Sequence, residues 1–370
     1  MRSAALVTCL VCLAAAASLA EGCSSSSAPC TPGAAGVDTG GAFPSSLSAY
    51  CQVDIQNAQV TPSAGVTPYD LNTQLFSDYA VKYRTVWMPS GASAPYQTTG
   101  TFDFPVGTVL TKSFGWPADF RVAGAPVKWV ETRVYVHAAS GWKGSAYIWD
   151  DAQQTATVSA GGEIDDISFI DTSGQSLTAH YLVPSQAQCA KCHANDGSPV
   201  PLGPRVDQIN RDFAYSTGTE NELAHWTKLG LVKGAPAPAQ APVMPVWNDP
   251  TTGTTEARAR AYLQANCSYC HDGNGEARTT GLVLLDTNTD TTSLGACKSP
   301  IAAGKAAAGQ QYDIVPGQPG QSILIYRVTS ILPSIAMPEI GRSLEHVEGV
   351  QLLSDWVTGM TGSCPSASGP

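Results

Sequence analysis

The chain has 370 residues, of which 43% are hydrophobic, and its formal net charge at pH 7 is −10. This length exceeds one core of ordinary size and predicts a globular protein with two or three domains. The acidic balance excludes nucleic acid and anionic membrane surfaces as main partners, since such binding needs a basic face.

The amino terminus is typical of an export signal. Arg2 precedes an apolar run from Ala4 to Ala20 that ends in small residues. We therefore predict a signal peptide over residues 1–22 and an exported, periplasmic mature protein. Cys23 is followed by four serines, and two interpretations of it stay open. It is either the lipidated first residue of a membrane-anchored lipoprotein or an ordinary residue after cleavage at Ala20.

Residues 42–183 are predicted to be rich in β-strands. Lys128 to Val136 alternates between two sets of side chains, as a half-buried strand does. A turn at Ala138 to Gly141 and a returning strand at Ala146 to Trp149 complete a hairpin. Similar short runs separated by Gly, Pro and Asp indicate a sandwich or a small barrel.

Two copies of one pentapeptide follow this region, Cys189-Ala190-Lys191-Cys192-His193 and Cys267-Ser268-Tyr269-Cys270-His271. In C-x-x-C-H, each thiol can form a thioether with a haem vinyl group, and the histidine reaches the iron. A zinc site with Cys and His ligands is the alternative, but two pentapeptides that both end in histidine favour haem. The sequence therefore predicts two covalent c-type haems as cofactors, bound by Cys189, Cys192, His193, Cys267, Cys270 and His271.

The second axial ligand of each iron decides whether a haem only carries electrons or also binds small molecules. For the second haem we predict Met337, which lies well downstream of His271 and precedes a proline. For the first haem Met244 is the preferred ligand. His225 is a competitor, and the absence of any protein ligand is a third alternative.

Helical periodicity is clearest near the second motif. Thr255 is predicted to cap a helix that carries Ala259, Tyr262 and Leu263 on one face and leads into the motif. A closing helix is predicted around Val350 to Met360. The spacing of the remaining cysteines suggests two disulfides, Cys30 with Cys51 and Cys297 with Cys364, and other pairings stay open.

The chain resembles a largely uncharacterised family of bacterial exported dihaem cytochromes, and residues 255–364 resemble a class I cytochrome c. The resemblance implies two haems and export but no assigned substrate. The first motif departs from the class I pattern, because strand-like residues and Pro184 stand where a long entry helix would be. The segments that carry the family resemblance are Tyr69-Asp70-Leu71-Asn72, Leu75-Phe76-Ser77-Asp78-Tyr79-Ala80, Glu131-Thr132-Arg133, Arg258-Ala259-Arg260-Ala261-Tyr262-Leu263 and Met337-Pro338-Glu339-Ile340-Gly341-Arg342.

These observations predict an α+β multidomain fold, with a β-rich sandwich or barrel followed by two mostly α-helical, cytochrome c-like haem units. An Ala- and Pro-rich linker at residues 234–242 separates the two units. The predicted divisions are a signal peptide (1–22), a flexible tether (23–41), the β-rich domain (42–183), the first haem unit (184–242), the second haem unit (243–364) and a tail (365–370).

The leading functional hypothesis is transfer of single electrons between redox partner proteins, with no catalytic residues. One alternative is a dihaem peroxidase-like enzyme in which one iron keeps an open position. Another is a β-rich module that senses or binds a substrate and uses the haems as its electron outlet. Membrane attachment is expected only through a lipid on Cys23.

Overall fold

The computed structural model describes residues 30–56, 59–195, 197–301 and 303–365. The predicted signal peptide, Cys23 and most of the predicted tail lie outside these residues. The described residues from Thr31 onward belong to one compact unit. None of the helices in the described ranges is both long and apolar enough to cross a bilayer.

A six-stranded antiparallel sheet is the largest element, with strand order β3-β4-β6-β7-β8-β9. The predicted hairpin is confirmed, because β7 ends at Ala138 and β8 begins at Gly141. The strands of this sheet are β3 (Thr67–Tyr69), β4 (Val81–Trp87), β6 (Val109–Pro117), β7 (Val127–Ala138), β8 (Gly141–Trp149) and β9 (Ala156–Ser159).

The remaining described strands pair as two-stranded ribbons. The longest ribbon, β10 (Glu163–Ile170) with β11 (Ser176–Val183), leads directly into the first motif. The other strands are β1 (Val53–Gln56), β2 (Gln59–Pro62), β5 (Ala94–Pro95), β12 (Ala194–Asn195), β13 (Ser198–Pro199), β14 (Asp212–Tyr215), β15 (Gly218–Asn221) and β16 (Val232–Lys233).

One face of the large sheet is covered by the first described residues. Val134 and Tyr147 of the sheet pack in one cluster with Ala34 and Val37, which are buried although they belong to the predicted tether. The Tyr147 hydroxyl also lies 3.1 Å from the hydroxyl of Tyr50. Burial of this apolar surface holds residues 31–50 against the sheet.

Six α-helices are described, and most of them are short. Their bounds are α1 (Gln186–Cys192), α2 (Val206–Ile209), α3 (Glu222–Lys228), α4 (Thr255–Asn266), α5 (Ile323–Thr329) and α6 (Val347–Gly359). Single 3-10 turns lie at Leu47–Tyr50, Pro238–Gln240, Arg278–Thr280, Gly304–Ala307 and Pro319–Gln321.

The predicted fold class is therefore wrong in its two mostly helical, cytochrome c-like units. Residues 184–242 hold three helices of seven, four and seven residues among two-stranded ribbons. In residues 243–364 long loops join α4, α5 and α6. The physical reason is local: the chain contains 35 glycines and 26 prolines, which favour turns and interrupt helices. Among the described residues, the β-rich part includes the six-stranded sheet and the β10–β11 ribbon, whose apolar side chains pack against it.

The two longest helices pack against each other near the second motif. The cap of α4 is Thr254 rather than Thr255, and its hydroxyl accepts a hydrogen bond from the amide of Ala257 at 3.1 Å. Helices α4 and α6 share one apolar cluster that includes Leu263, Leu353 and Trp356. The predicted Cys297–Cys364 disulfide is confirmed, and Cys30 and Cys51 are disulfide-bonded as well.

Gly349 allows the close approach of α6 to α4. A Cβ at this position would lie 2.5 Å from the Tyr262 hydroxyl and 2.7 Å from Nδ1 of His346. We expect Gly349→Ala to lower the free energy of unfolding by about 1–3 kcal/mol, because the helices would have to separate. Gly359→Ala in the same helix meets open space and should not destabilise the fold. Denaturant unfolding of both variants checks this, and equal stabilities would contradict it.

Candidate haem-binding sites

The second motif begins where α4 ends. The amide of Cys267 donates to the carbonyl of Leu263, and the amide of His271 donates to the carbonyl of Cys267 at 3.0 Å. The motif therefore continues the helix as a tight turn. Cys267, Cys270 and His271 all line one cavity of about 330 Å³, and Met337 lines the same cavity.

The wall of this cavity is largely apolar. Its aliphatic side chains come from the loop after the motif, from α5 and from the loop after α5. A mainly apolar wall with a few polar groups is typical of cofactor sites. The aliphatic members are Leu282, Leu284, Leu294, Ile301, Ile314, Ile323, Leu324, Val328 and Ile340.

His271 is held in an orientation that suits an iron ligand. Its Nδ1 lies 3.3 Å from the hydroxyl of Thr280, which itself donates to the carbonyl of Ala277. A hydrogen bond at Nδ1 leaves Nε2 as the atom available to a metal. Burial lowers the pKa of His271 to about 4. The imidazole is therefore neutral at pH 7, as metal ligation requires.

Arg342 organises the loop that carries Met337. Its guanidinium donates to the carbonyl of Met337 through Nε at 3.1 Å and through Nη2 at 2.8 Å. The same side chain donates to the carbonyls of Ser330 and Leu344. The amide of Met337 in turn donates to the carbonyl of Arg327 in α5. These bonds fix the backbone of Met337 at the cavity wall.

Asp78 connects this loop to the large sheet. Its carboxylate accepts hydrogen bonds from the amide and hydroxyl of Ser343 and from the amide of Leu344. Its carbonyl accepts a hydrogen bond from the indole of Trp116 in β6. Asp78 is almost completely buried. It therefore holds the methionine loop against the sheet.

The first motif lies in α1 and the residue after it. Ser185 and Gln188 form a capping box that starts this helix. Nδ1 of His193 lies 2.8 Å from the carbonyl of Val200, so Nε2 is again the available atom. Burial lowers the pKa of His193 to about 4. The histidines of both motifs thus share the same type of anchor and the same protonation state.

Gly144 lets the first motif lie close to the large sheet. A Cβ at Gly144 would lie 2.8 Å from the ring of Tyr135, its cross-strand partner, and 3.8 Å from the Cβ of Cys189. The ring of Tyr135 contacts the ring of His193, with centroids 4.6 Å apart. The first motif therefore sits on the face of the sheet formed by Tyr135 and Gly144.

The fold brings the two motifs together. Lys191 and Cys192 of the first motif line the same cavity as Cys267 and Cys270 of the second. Burial raises the pKa of the Cys267 and Cys270 thiols to about 12, and it also raises the pKa of Cys192. The thiols of Cys192, Cys267 and Cys270 are therefore protonated at pH 7, which argues against a thiolate nucleophile.

Met244 lines a cavity other than the one that the two motifs share. Its amide donates to the carbonyl of Asp207 at 2.8 Å, and its buried side chain lines a different cavity with residues of α4 and Asp286. Among the described residues of that second cavity, none belongs to the first motif. His225 lies 2.7 Å from Glu220 and stacks on Tyr215, and no contact described for it involves the first motif.

The sequence predicts both motifs and Met337 as site residues, but it does not predict the residues that contact them. These residues are Thr280, Arg342 and Asp78. They support the site through contacts with backbone groups or with partners that are far away in the sequence. Asp78 and Arg342 do lie in segments that carry the family resemblance, and this was the available signal.

Within the described ranges, no group of three or more His, Cys, Asp and Glu side chains is placed to hold a metal ion. Comparisons with family models, curated proteins and solved structures return no match.

Proposed function

We propose that this chain is an exported dihaem c-type cytochrome that passes single electrons between redox partner proteins. One observation carries the proposal: Cys267, Cys270, His271 and Met337, predicted from sequence to bind one haem, line a single cavity. When bound, haem supplies reversible one-electron chemistry at iron.

The contribution of the protein at this cavity is ligation, orientation and exclusion of water. The two thiols would attach the cofactor, and the Thr280 contact orients His271. Arg342 holds the backbone of Met337. A histidine and a methionine as the two axial ligands favour electron transfer over binding of a substrate at the iron.

The adjacency of the motifs supports transfer within the chain. Because Cys192 lines the cavity of the second motif, a cofactor attached to the first motif would lie beside a cofactor attached to the second. The Cys297–Cys364 disulfide supports an oxidising compartment, in agreement with the proposed export to the periplasm. In the periplasm, a redox partner protein would be the electron donor or acceptor.

The ligand of the second haem can be tested directly. We expect Met337→Ala to convert one of the two haems from low spin to high spin, because alanine removes the proposed thioether ligand. Met88→Ala is the matched control, since Met88 is buried in an apolar cluster with Trp226 and Leu110. Absorption and magnetic circular dichroism spectra of both variants decide the matter. An unchanged spectrum for Met337→Ala would contradict the assignment.

A second candidate function is a dihaem peroxidase-like enzyme, and the placement of Met244 in a separate cavity favours it. Electron paramagnetic resonance of the oxidised holoprotein separates the two candidates. The electron carrier predicts two low-spin ferric signals and no turnover of peroxide. A high-spin signal that cyanide removes, together with turnover of peroxide, would support the enzyme instead.

A further inference from the structure

Four cationic side chains lie together on one face of the large sheet. Arg84 in β4 is directly opposite Lys112 in β6, and Lys112 is directly opposite Arg133 in β7. Lys82 lies two residues before Arg84, opposite Phe114. Residues directly opposite in neighbouring strands point to the same face. We call Lys82, Arg84, Lys112 and Arg133 the basic cluster.

Three members of the basic cluster surround one aromatic ring. From the centroid of Phe114, the Nζ of Lys112 is 4.7 Å away, the Cζ of Arg133 is 4.3 Å away and the Nζ of Lys82 is 6.0 Å away. A ring face attracts each cation only weakly. It does not neutralise the three charges.

Each arginine of the basic cluster pairs with one carboxylate, and the carboxylate of Asp78, whose charge also acts on Lys82, accepts hydrogen bonds from Ser343 and Leu344. Arg84 pairs with Asp70 at 2.5 Å, and Arg133 pairs with the buried Glu131 at 2.6 Å. In the described part of the chain, no ion pair is found for Lys82 or Lys112, and the ammonium group of Lys82 donates to the carbonyl of Ala80. The two arginines are therefore paired with carboxylates and the two lysines are not, which leaves an excess of cationic groups.

This excess charge is costly where it lies. Burial, together with neighbouring cations, lowers the pKa of Lys82 to about 7 and lowers the pKa of Lys112 well below its usual value. A cation that is costly to charge is stabilised when an anion binds beside it. Two such lysines can therefore stabilise two negative charges.

The basic cluster lies beside the first motif. Arg133 is two residues from Tyr135, whose ring contacts His193. The charges of Arg133 and Lys112 both act on His193, and the charge of Arg133 also acts on Cys189 and Cys192. Any group held at the first motif is therefore within the field of the cluster.

We propose that Lys82 and Lys112, supported by Arg84 and Arg133, form a binding site for carboxylate or similar oxyanion groups next to the first motif. This inference rests on the proposed function, because a haem at the first motif would bring its two propionate groups next to these lysines. A dissolved oxyanion has the same chemistry and is the other source. Two uncompensated lysines match two propionates in number.

The test uses holoprotein and the variants Lys82→Met and Lys112→Met, which keep the length of the side chain and remove its charge. Lys128→Met is the control, because Lys128 lies in β7 with an exposed ion pair to Asp151. Spectroelectrochemical titration gives the midpoint potential of each haem. We expect both test variants to lower the potential of one haem only, since uncompensated propionates stabilise ferric iron. The control should change neither potential.

Sulfate and phosphate, added to each protein, identify the source. If the potentials stay unchanged but sulfate or phosphate alters the haem spectrum of the parent and not of Lys112→Met, the site binds a dissolved oxyanion. If neither effect occurs in either test variant, the proposal is overturned. Haem content of the parent is measured first, so that a failure of the proposed function appears separately as fewer than two haems per chain.

Discussion

Replacing both Cys267 and Cys270 by alanine is expected to halve the haem content, from two covalent haems per chain to one. The thiols of these residues line the same cavity as His271 and Met337, and without them no thioether can form there. The first motif is left intact in this variant, so its haem should remain. Pyridine haemochrome absorption and intact-protein mass spectrometry both count the haems.

The matched control removes two other cysteines from the same part of the chain. Cys297→Ala with Cys364→Ala deletes the disulfide, whose cysteines are 67 residues apart. This control should keep two haems but lose about 4 kcal/mol of stability, because a long loop is no longer closed in the unfolded chain. If the variant with both Cys267→Ala and Cys270→Ala still carried two haems, the assignment of the second site would be refuted.

The second large effect is expected at Asp78. Asp78→Ala should lower the free energy of unfolding by about 3 kcal/mol or more, because two amides and one hydroxyl of Ser343 and Leu344 lose their acceptor. Burial raises the pKa of Asp78 even though these donors oppose it. The loss should also loosen the methionine loop and increase the high-spin fraction of one haem.

Asp171 provides the control for this variant. Its carboxylate also accepts hydrogen bonds from a nearby hydroxyl and amide, those of Ser173 and Gln175, but it is only partly buried and lies next to a turn. Asp171→Ala should leave both the melting temperature and the haem spectrum nearly unchanged. Asp78→Ala with the same stability and spectrum as this control would contradict the role given to Asp78.

The sequence is most informative where a feature is encoded locally. The C-x-x-C-H pentapeptides named six candidate ligands and attachment residues, and alternation in residues 128–136 located the central hairpin. Met337 was chosen from its distance along the chain and the proline after it. The structure places it in the cavity of the second motif.

The same reasoning gives no information on contacts between distant residues. Met244 follows the same Met-Pro pattern as Met337, yet packing places its side chain in a different cavity. The Asp78 contact with Ser343 joins residues 265 positions apart, and no local sequence pattern predicts such a pair. The helices near the first motif are short because turns and ribbons satisfy the backbone instead.

The central claim is that haem is attached covalently at both motifs, and its most direct test is to count the haems. The protein is matured in a bacterial host that has the haem-attachment machinery, then purified and denatured before mass spectrometry and pyridine haemochrome assay. We predict a red protein with two haems per chain that survive denaturation. A colourless chain, or one that retains only zinc, would contradict the account.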